Sequence, residues 1–120
     1  MGSKRNRTAG HGFERCIINE LKLLGFPEAV SARSESRNLD DKGVDICNVK
    51  PYNIQCKNTV LTPNYHELIT NMPQDPEVAN IVIHRKTKKA NTKFITQDDY
   101  VLMRKSDFYK ILKKLHTKPD

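Results

Sequence analysis

Phe13, Ile17, Ile18, Leu21 and Leu24 recur at spacings of three and four, so residues 12–24 are predicted as a helix with one apolar face. Gly25 and Pro27 supply its stop. A short strand is predicted at 29–33, and the polar stretch 34–42 reads as a loop. Residues 44–49 and 53–60 are two strand-like runs around the turn material Lys50-Pro51-Tyr52-Asn53, which together predict a β-hairpin. A short helix is expected at 63–71, then a proline-bearing loop at 72–77. The run Ala-Asn-Ile-Val-Ile-His at 79–84 predicts a buried strand. A basic loop at 86–93 leads to two further short strands at 93–96 and 100–103. Ser106 is placed to cap a last helix at 107–115, whose apolar face carries Phe108, Ile111, Leu112 and Leu115.

The predicted order is α-β-β-β-α-β-β-β-α, an α/β mixed sheet flanked by helices. Neither an internal repeat nor a dividing linker breaks it, so residues 11–120 are expected to form a single domain. A chain of 120 residues buries roughly two thirds of its unfolded surface, enough for one core without disulfides. Residues 1–10 are basic and polar, without the apolar run of a secretory signal, and read as a flexible arm.

Charge narrows the class of partner. Lys and Arg number 21 against 14 acidic residues, a net +7, which favours a polyanion such as DNA or RNA. A membrane surface fits less well, because Trp is absent and neither end carries a basic amphipathic helix. Cys16, Cys47 and Cys56 lack metal-ligand spacing and are odd in number, pointing to reduced thiols and a cytoplasmic setting. His11, His66, His84 and His116 are too scattered for a zinc site.

The chemistry concentrates in the hairpin. Alternation puts Gln55 and Lys57 on one face and Cys56 on the other. A turn centred on Pro51 sets Asp45 nearly opposite Lys57, and an even register gathers all three side chains. Such a group suits phosphodiester hydrolysis. Asp45 offers an oxygen ligand to a hard cation such as Mg²⁺, and the Gln55 side-chain oxygen offers a neutral one. Lys57 is placed to orient or deprotonate water, or to neutralise charge growing on the phosphate.

Gly-Val-Asp-Ile at 43–46 followed by Ile-Gln-Cys-Lys at 54–57 resembles the paired motif of the PD-(D/E)XK nucleases, with Gln55 in the usual glutamate position. Ala-Gly-His-Gly-Phe-Glu-Arg at 9–15 is similar to the opening of archaeal-type Holliday junction resolvases, where a glutamate on the first helix completes the metal site. The resemblance implies a restriction-endonuclease-like fold and a homodimer cutting DNA. It implies Glu14, Asp45, Gln55 and Lys57 as catalytic residues, with Glu14, Asp45 and Gln55 holding Mg²⁺, for which Mn²⁺ substitutes. It also draws in Arg33, Ser34 and Ser36 before the aspartate. The motif covers the first half of the chain; the remainder agrees only in order of elements.

Further DNA contacts are expected from Lys4, Arg5 and Arg7 in the arm and from Arg85, Lys86, Lys88 and Lys89, which would position a phosphate backbone without reading sequence. Each residue has a plainer reading. Glu14 suits an exposed site near a helix start, Asp45 a turn, Lys57 a solvated strand and the lysines a hydrated loop. A four-way junction calls for two symmetric cuts and hence for a dimer. Two alternatives stand beside that: a restriction-like or repair nuclease on duplex DNA, and an inactive DNA-binding protein that keeps the fold. An RNA-binding module is disfavoured by the lack of an aromatic pair for base stacking.

Overall fold

A computed structural model describes the backbone of residues 3–117 and the side chains of residues 11–117. The elements run α1 (Ser3–Leu23), β1 (Val30–Ser31), α2 (Ala32–Glu35), α3 (Arg37–Asp41), β2 (Ile46–Cys47), β3 (Tyr52–Thr59), α4 (Tyr65–Asn71), β4 (Ala79–Ala90), β5 (Lys93–Leu102) and α5 (Lys105–His116). The five strands form one mixed sheet in the order β1-β2-β3-β4-β5. The β3–β4 pair is parallel and the other pairs are antiparallel. The α/β class with helices flanking a mixed sheet is thus observed.

Helix α1 begins earlier than its apolar periodicity indicates, and the backbone expected as an arm belongs to it from Ser3 onward. Its end follows the sequence closely. Gly25 takes φ 115, where a Cβ would be strained. Phe26 N–H then donates to Leu21 C=O at 3.0 Å and Gly25 N–H to Lys22 C=O at 3.4 Å, the paired bonds of a Schellman end. Leu21 and Phe26 both pack against the core, closing the motif with its usual apolar contact.

Phe13 and Ile17 of α1 are buried together with Ala29, Ile46, Val49, Ile54 and Ile81, so α1 covers one face of the sheet. Burying a side chain the size of Phe13 contributes about 2–3 kcal/mol. The opposite face carries Val82 and Asn80 near α4; Asn80 Nδ2 donates to Pro73 C=O at 2.8 Å just beyond that helix. Helix α4 is the crossover that two parallel neighbours require.

Three expectations are corrected. The segment 34–42 is not a loop, because Ser31 accepts from Arg33 N–H and Ser36 from Leu39 N–H, and these caps build α2 and α3. Residues 86–93 are not a loop either: β4 runs to Ala90, a two-residue turn places Asn91 at φ 58, and β5 returns as a single strand where two were expected. Ser106 does not cap the last helix, which starts two residues earlier, at Lys105 behind Arg104, without a side-chain cap. Of the four residues predicted as the apolar face of α5, only Ile111 is half-buried; Phe108, Leu112 and Leu115 are exposed. No helix among the described residues is long and apolar enough to cross a membrane.

Candidate active site

Ile46 pairs with Ile54, so Asp45 lies across from Gln55. The expected alignment with Lys57 is therefore off by two residues, because the pairing centres on Lys50 rather than Pro51 and the connection between β2 and β3 is two residues shorter than expected. Asp45 N–H still donates to Ile54 C=O at 2.8 Å, but Val44 N–H turns away to Leu39 C=O in α3. The ladder ends there. The Asp45 side chain continues it, Oδ2 accepting from Cys56 N–H at 2.8 Å. A carboxylate thus takes the place of a backbone carbonyl at the point where two strands part, and a notch opens beside Gln55.

Glu14 reaches this notch from α1. It is 8% exposed, and burial first, then the charge of Asp45, pushes its carboxyl up to about 7, with Arg33 opposing and Asp40 adding to the rise. Asp45 is also raised, mainly by burial, while the Cys56 amide and the Lys57 charge pull it down. These influences put Asp45 within electrostatic reach of both Glu14 and Lys57. Gln55 lies across from Asp45 and pairs with Val82, on the face away from α1, and is seated against Gly43, where an added Cβ would meet Gln55 Nε2 at 3.4 Å. Gly43 itself needs its residue type, since its φ is 84.

Two oxygens in this group are buried without a hydrogen-bond donor: Glu14 Oε1 and Gln55 Oε1. The nearest cation to the first is Arg33, with Nη2 at 3.5 Å, an ion pair without a hydrogen bond. Buried acceptors left in this way favour a bound donor or cation. Among the described residues no three His, Cys, Asp or Glu side chains cluster as a metal site. The set here is instead two carboxylates and an amide. An all-oxygen set of low charge with orphaned acceptors fits a hard divalent ion that retains water, as Mg²⁺ does.

The other expected residues divide sharply. Arg33 borders the notch with its side chain 40% exposed. Ser34 Oγ donates to Ser31 C=O and Ser36 Oγ accepts from Leu39 N–H, so both are occupied in local structure. Arg85 is not a free cation: it donates twice to Asp99, at 2.8 and 2.9 Å, and its guanidinium lies 4.5 Å from the centroid of the Phe13 ring. Lys86 Nζ donates to Gln97 Oε1 at 3.2 Å, whereas Lys88 and Lys89 are exposed on the outer half of β4. The side chains of Lys4, Arg5 and Arg7 lie outside the described residues.

Three contributors escaped the sequence reading. Asp40 raises the carboxyls of both Glu14 and Asp45 and therefore adds to the negative field of the notch. An acidic residue following a Ser cap was its available signal. The Cys56 amide, which holds Asp45, had none beyond the hairpin itself. His84 is buried opposite Lys57 on β4, its Nε2 2.9 Å from Thr59 Oγ1. Thr59 donates its own proton to Leu61 C=O at 2.7 Å, so the hydroxyl oxygen accepts from His84 Nε2–H.

No family model matches the chain, and neither a curated protein nor a solved structure matches it.

Proposed function

We propose that the protein is a Mg²⁺-dependent endodeoxyribonuclease of PD-(D/E)XK type and restriction-endonuclease-like fold, acting as a homodimer on branched DNA such as a four-way junction. The observation that carries this reading is the pair of orphaned oxygens, Glu14 Oε1 and Gln55 Oε1, on the two residues that flank half-buried Asp45: its charge reaches the Glu14 carboxyl, and Gln55 lies across from it on β3. Bound by these three residues, the metal would supply Lewis acidity toward a phosphate. Lys57, on the same strand as Gln55, orients the attacking water or offsets charge on the phosphate. Arg33, partly exposed at the rim and held by no hydrogen bond to Glu14, is free to turn toward a phosphate oxygen. Lys88 and Lys89 add sequence-independent attraction to the backbone.

A second reading is an inactive DNA-binding protein of the same architecture. It is favoured by Gln55 in the acidic position and by a Glu14 carboxyl that holds its proton until about pH 7. A restriction-like or repair activity on duplex DNA is a third outcome of the same test. Labelled four-way junction and matched linear duplex are incubated with Mg²⁺, Mn²⁺ or EDTA, using the wild type and Asp45→Ala. Paired, metal-dependent nicks in the junction, absent from the variant, support the first reading. Cleavage of the duplex alone points to the third. Tight binding with no cleavage under either metal leaves the second.

A further inference from the structure

Strand β5 is the edge of the sheet, and it reads Lys-Phe-Ile-Thr-Gln-Asp-Asp-Tyr-Val-Leu from Lys93 to Leu102. Two apolar pairs, Phe94-Ile95 and Tyr100-Val101, stand at equal distances from its midpoint between Gln97 and Asp98. We propose that a second copy of this chain pairs with β5 antiparallel about a two-fold axis at that midpoint, setting Phe94 opposite the partner's Val101 and Ile95 opposite the partner's Tyr100.

Matching faces make this pairing possible. In a regular strand, residues related about a midpoint between two positions point to opposite sides of the sheet. β5 is not regular: Lys86 pairs with Asp98 and Thr87 with Thr96, so Gln97 is an extra residue, a bulge. The shift brings each pair to one side. Val101 pairs with Ile83 and Phe94 with Lys89, odd-numbered positions on one face of β4; Tyr100 pairs with His84 and Ile95 with Lys88, on the other. The two-fold axis therefore superposes apolar on apolar on both faces, with Thr96, Gln97, Asp98 and Asp99 in the centre.

The surface beside the strand is the right kind and size. Phe94, Ile95, Tyr100 and Val101 are each about half exposed, at 50, 49, 53 and 57%. Past the end of β5, Tyr65, Val101, Leu102, Met103 and Phe108 line an open groove next to the position the partner's Phe94 would take. Of the exposed apolar side chains on α5, Phe108 reaches this groove. A standard interface takes about 800 Å² from each partner, and the exposed side chains of β5 and the groove, with the strand's own backbone edge, are of that order. An isologous contact needs a patch complementary to itself, and the spacing of the two apolar pairs about the strand midpoint supplies one.

This inference stands on the surface alone and gives the proposed nuclease its second site. The test is the mass of the full chain by light scattering after size exclusion, for the wild type, Ile95→Lys, Tyr100→Glu and the double variant, with circular dichroism on each. The wild type is expected at twice 13.8 kDa. Each single variant should fall to the monomer mass, since a charge then faces an apolar partner. In the double variant the lysine introduced at position 95 faces the glutamate introduced at position 100 of the other copy, and the dimer should return. A wild type at the monomer mass overturns the proposal. So does a double variant that stays monomeric, or loss of the dimer with Leu112→Lys but not with the β5 variants, which would move the interface to α5. None of these readings depends on cleavage, so a failure here leaves the nuclease reading to its own test.

Discussion

Arg85 joins β4 to the helix that carries Glu14: its guanidinium lies 4.5 Å from the centroid of the Phe13 ring while two hydrogen bonds bind it to Asp99 on β5. Phe13 is the neighbour of Glu14, so this stack sets how α1 sits above the sheet. The Asp99 carboxyl is held below its usual range chiefly by these bonds. Arg85→Ala is expected to cost about 1–2 kcal/mol in urea unfolding, from the lost stack and ion pair. Cleavage should weaken with it while the salt dependence of DNA binding stays unchanged. A variant with wild-type stability and a shallower salt slope would instead return Arg85 to the DNA-contacting set.

Lys88 and Lys89 should behave in the opposite way. Both are exposed on β4, and among the described residues no hydrogen bond or ion pair to a neighbour is seen for either. Replacing both with Ala is expected to leave stability within about 0.5 kcal/mol and to reduce the slope of log binding constant against log salt by about 2. Fluorescence anisotropy of a labelled junction over a salt series measures the slope directly. An unchanged slope would remove the outer half of β4 from the DNA surface.

The contrast between these residues shows what the sequence made legible. Apolar periodicity located α1 from Phe13 onward, because one face is buried and the buried positions carry the period, while the β2–β3 pair was legible from two strand-like runs around turn residues. The strand pattern failed for β4 beyond His84 and for the middle of β5, residues 97–99. There the side chains are largely exposed on both faces, so polar and charged residues interrupt both and no alternation survives. Helices α2 and α3 rest on Ser31 and Ser36 caps over four and five residues, too short for a period to develop. At the site, the residue types pointed to Asp45, Gln55 and Lys57, but the register did not. Whether Asp45 faces Gln55 or Lys57 depends on the path between β2 and β3, which local pattern leaves open.

The metal-free protein should lose stability as pH rises toward neutrality. Glu14 titrates near 4.5 in an unfolded chain and at about 7 in the fold. Between these values the folded protein holds a proton that the unfolded chain has released, so unfolding free energy falls with rising pH and levels off above about 7. Asp45, also raised, acts in the same direction from its own lower starting point. The Glu14 share amounts to at most about 3 kcal/mol. Urea unfolding in EDTA at pH 5 and pH 8 measures it, and Glu14→Gln should flatten the difference. A wild type that gains more stability than Glu14→Gln between these pH values would falsify the raised Glu14 carboxyl.

Gln55→Glu separates a metal ligand from a buried structural amide. The substitution keeps the side chain's shape, so Gly43 accommodates it as it does the amide, but it adds a third carboxylate across the strand pair from Asp45, whose charge already reaches Glu14. Without metal, three acidic groups in one buried notch repel, and stability at pH 8 should drop by about 1–3 kcal/mol. With Mg²⁺ the same charge becomes a stronger oxygen ligand, and affinity by isothermal titration should rise about tenfold or more, equivalent to about 1.4 kcal/mol. The two effects have opposite signs in one variant, so neither general destabilisation nor general tightening imitates the pair. A loss of stability without any gain in Mg²⁺ affinity would mean that Gln55 Oε1 faces something other than a cation, and the ligand set would shrink to Glu14 and Asp45.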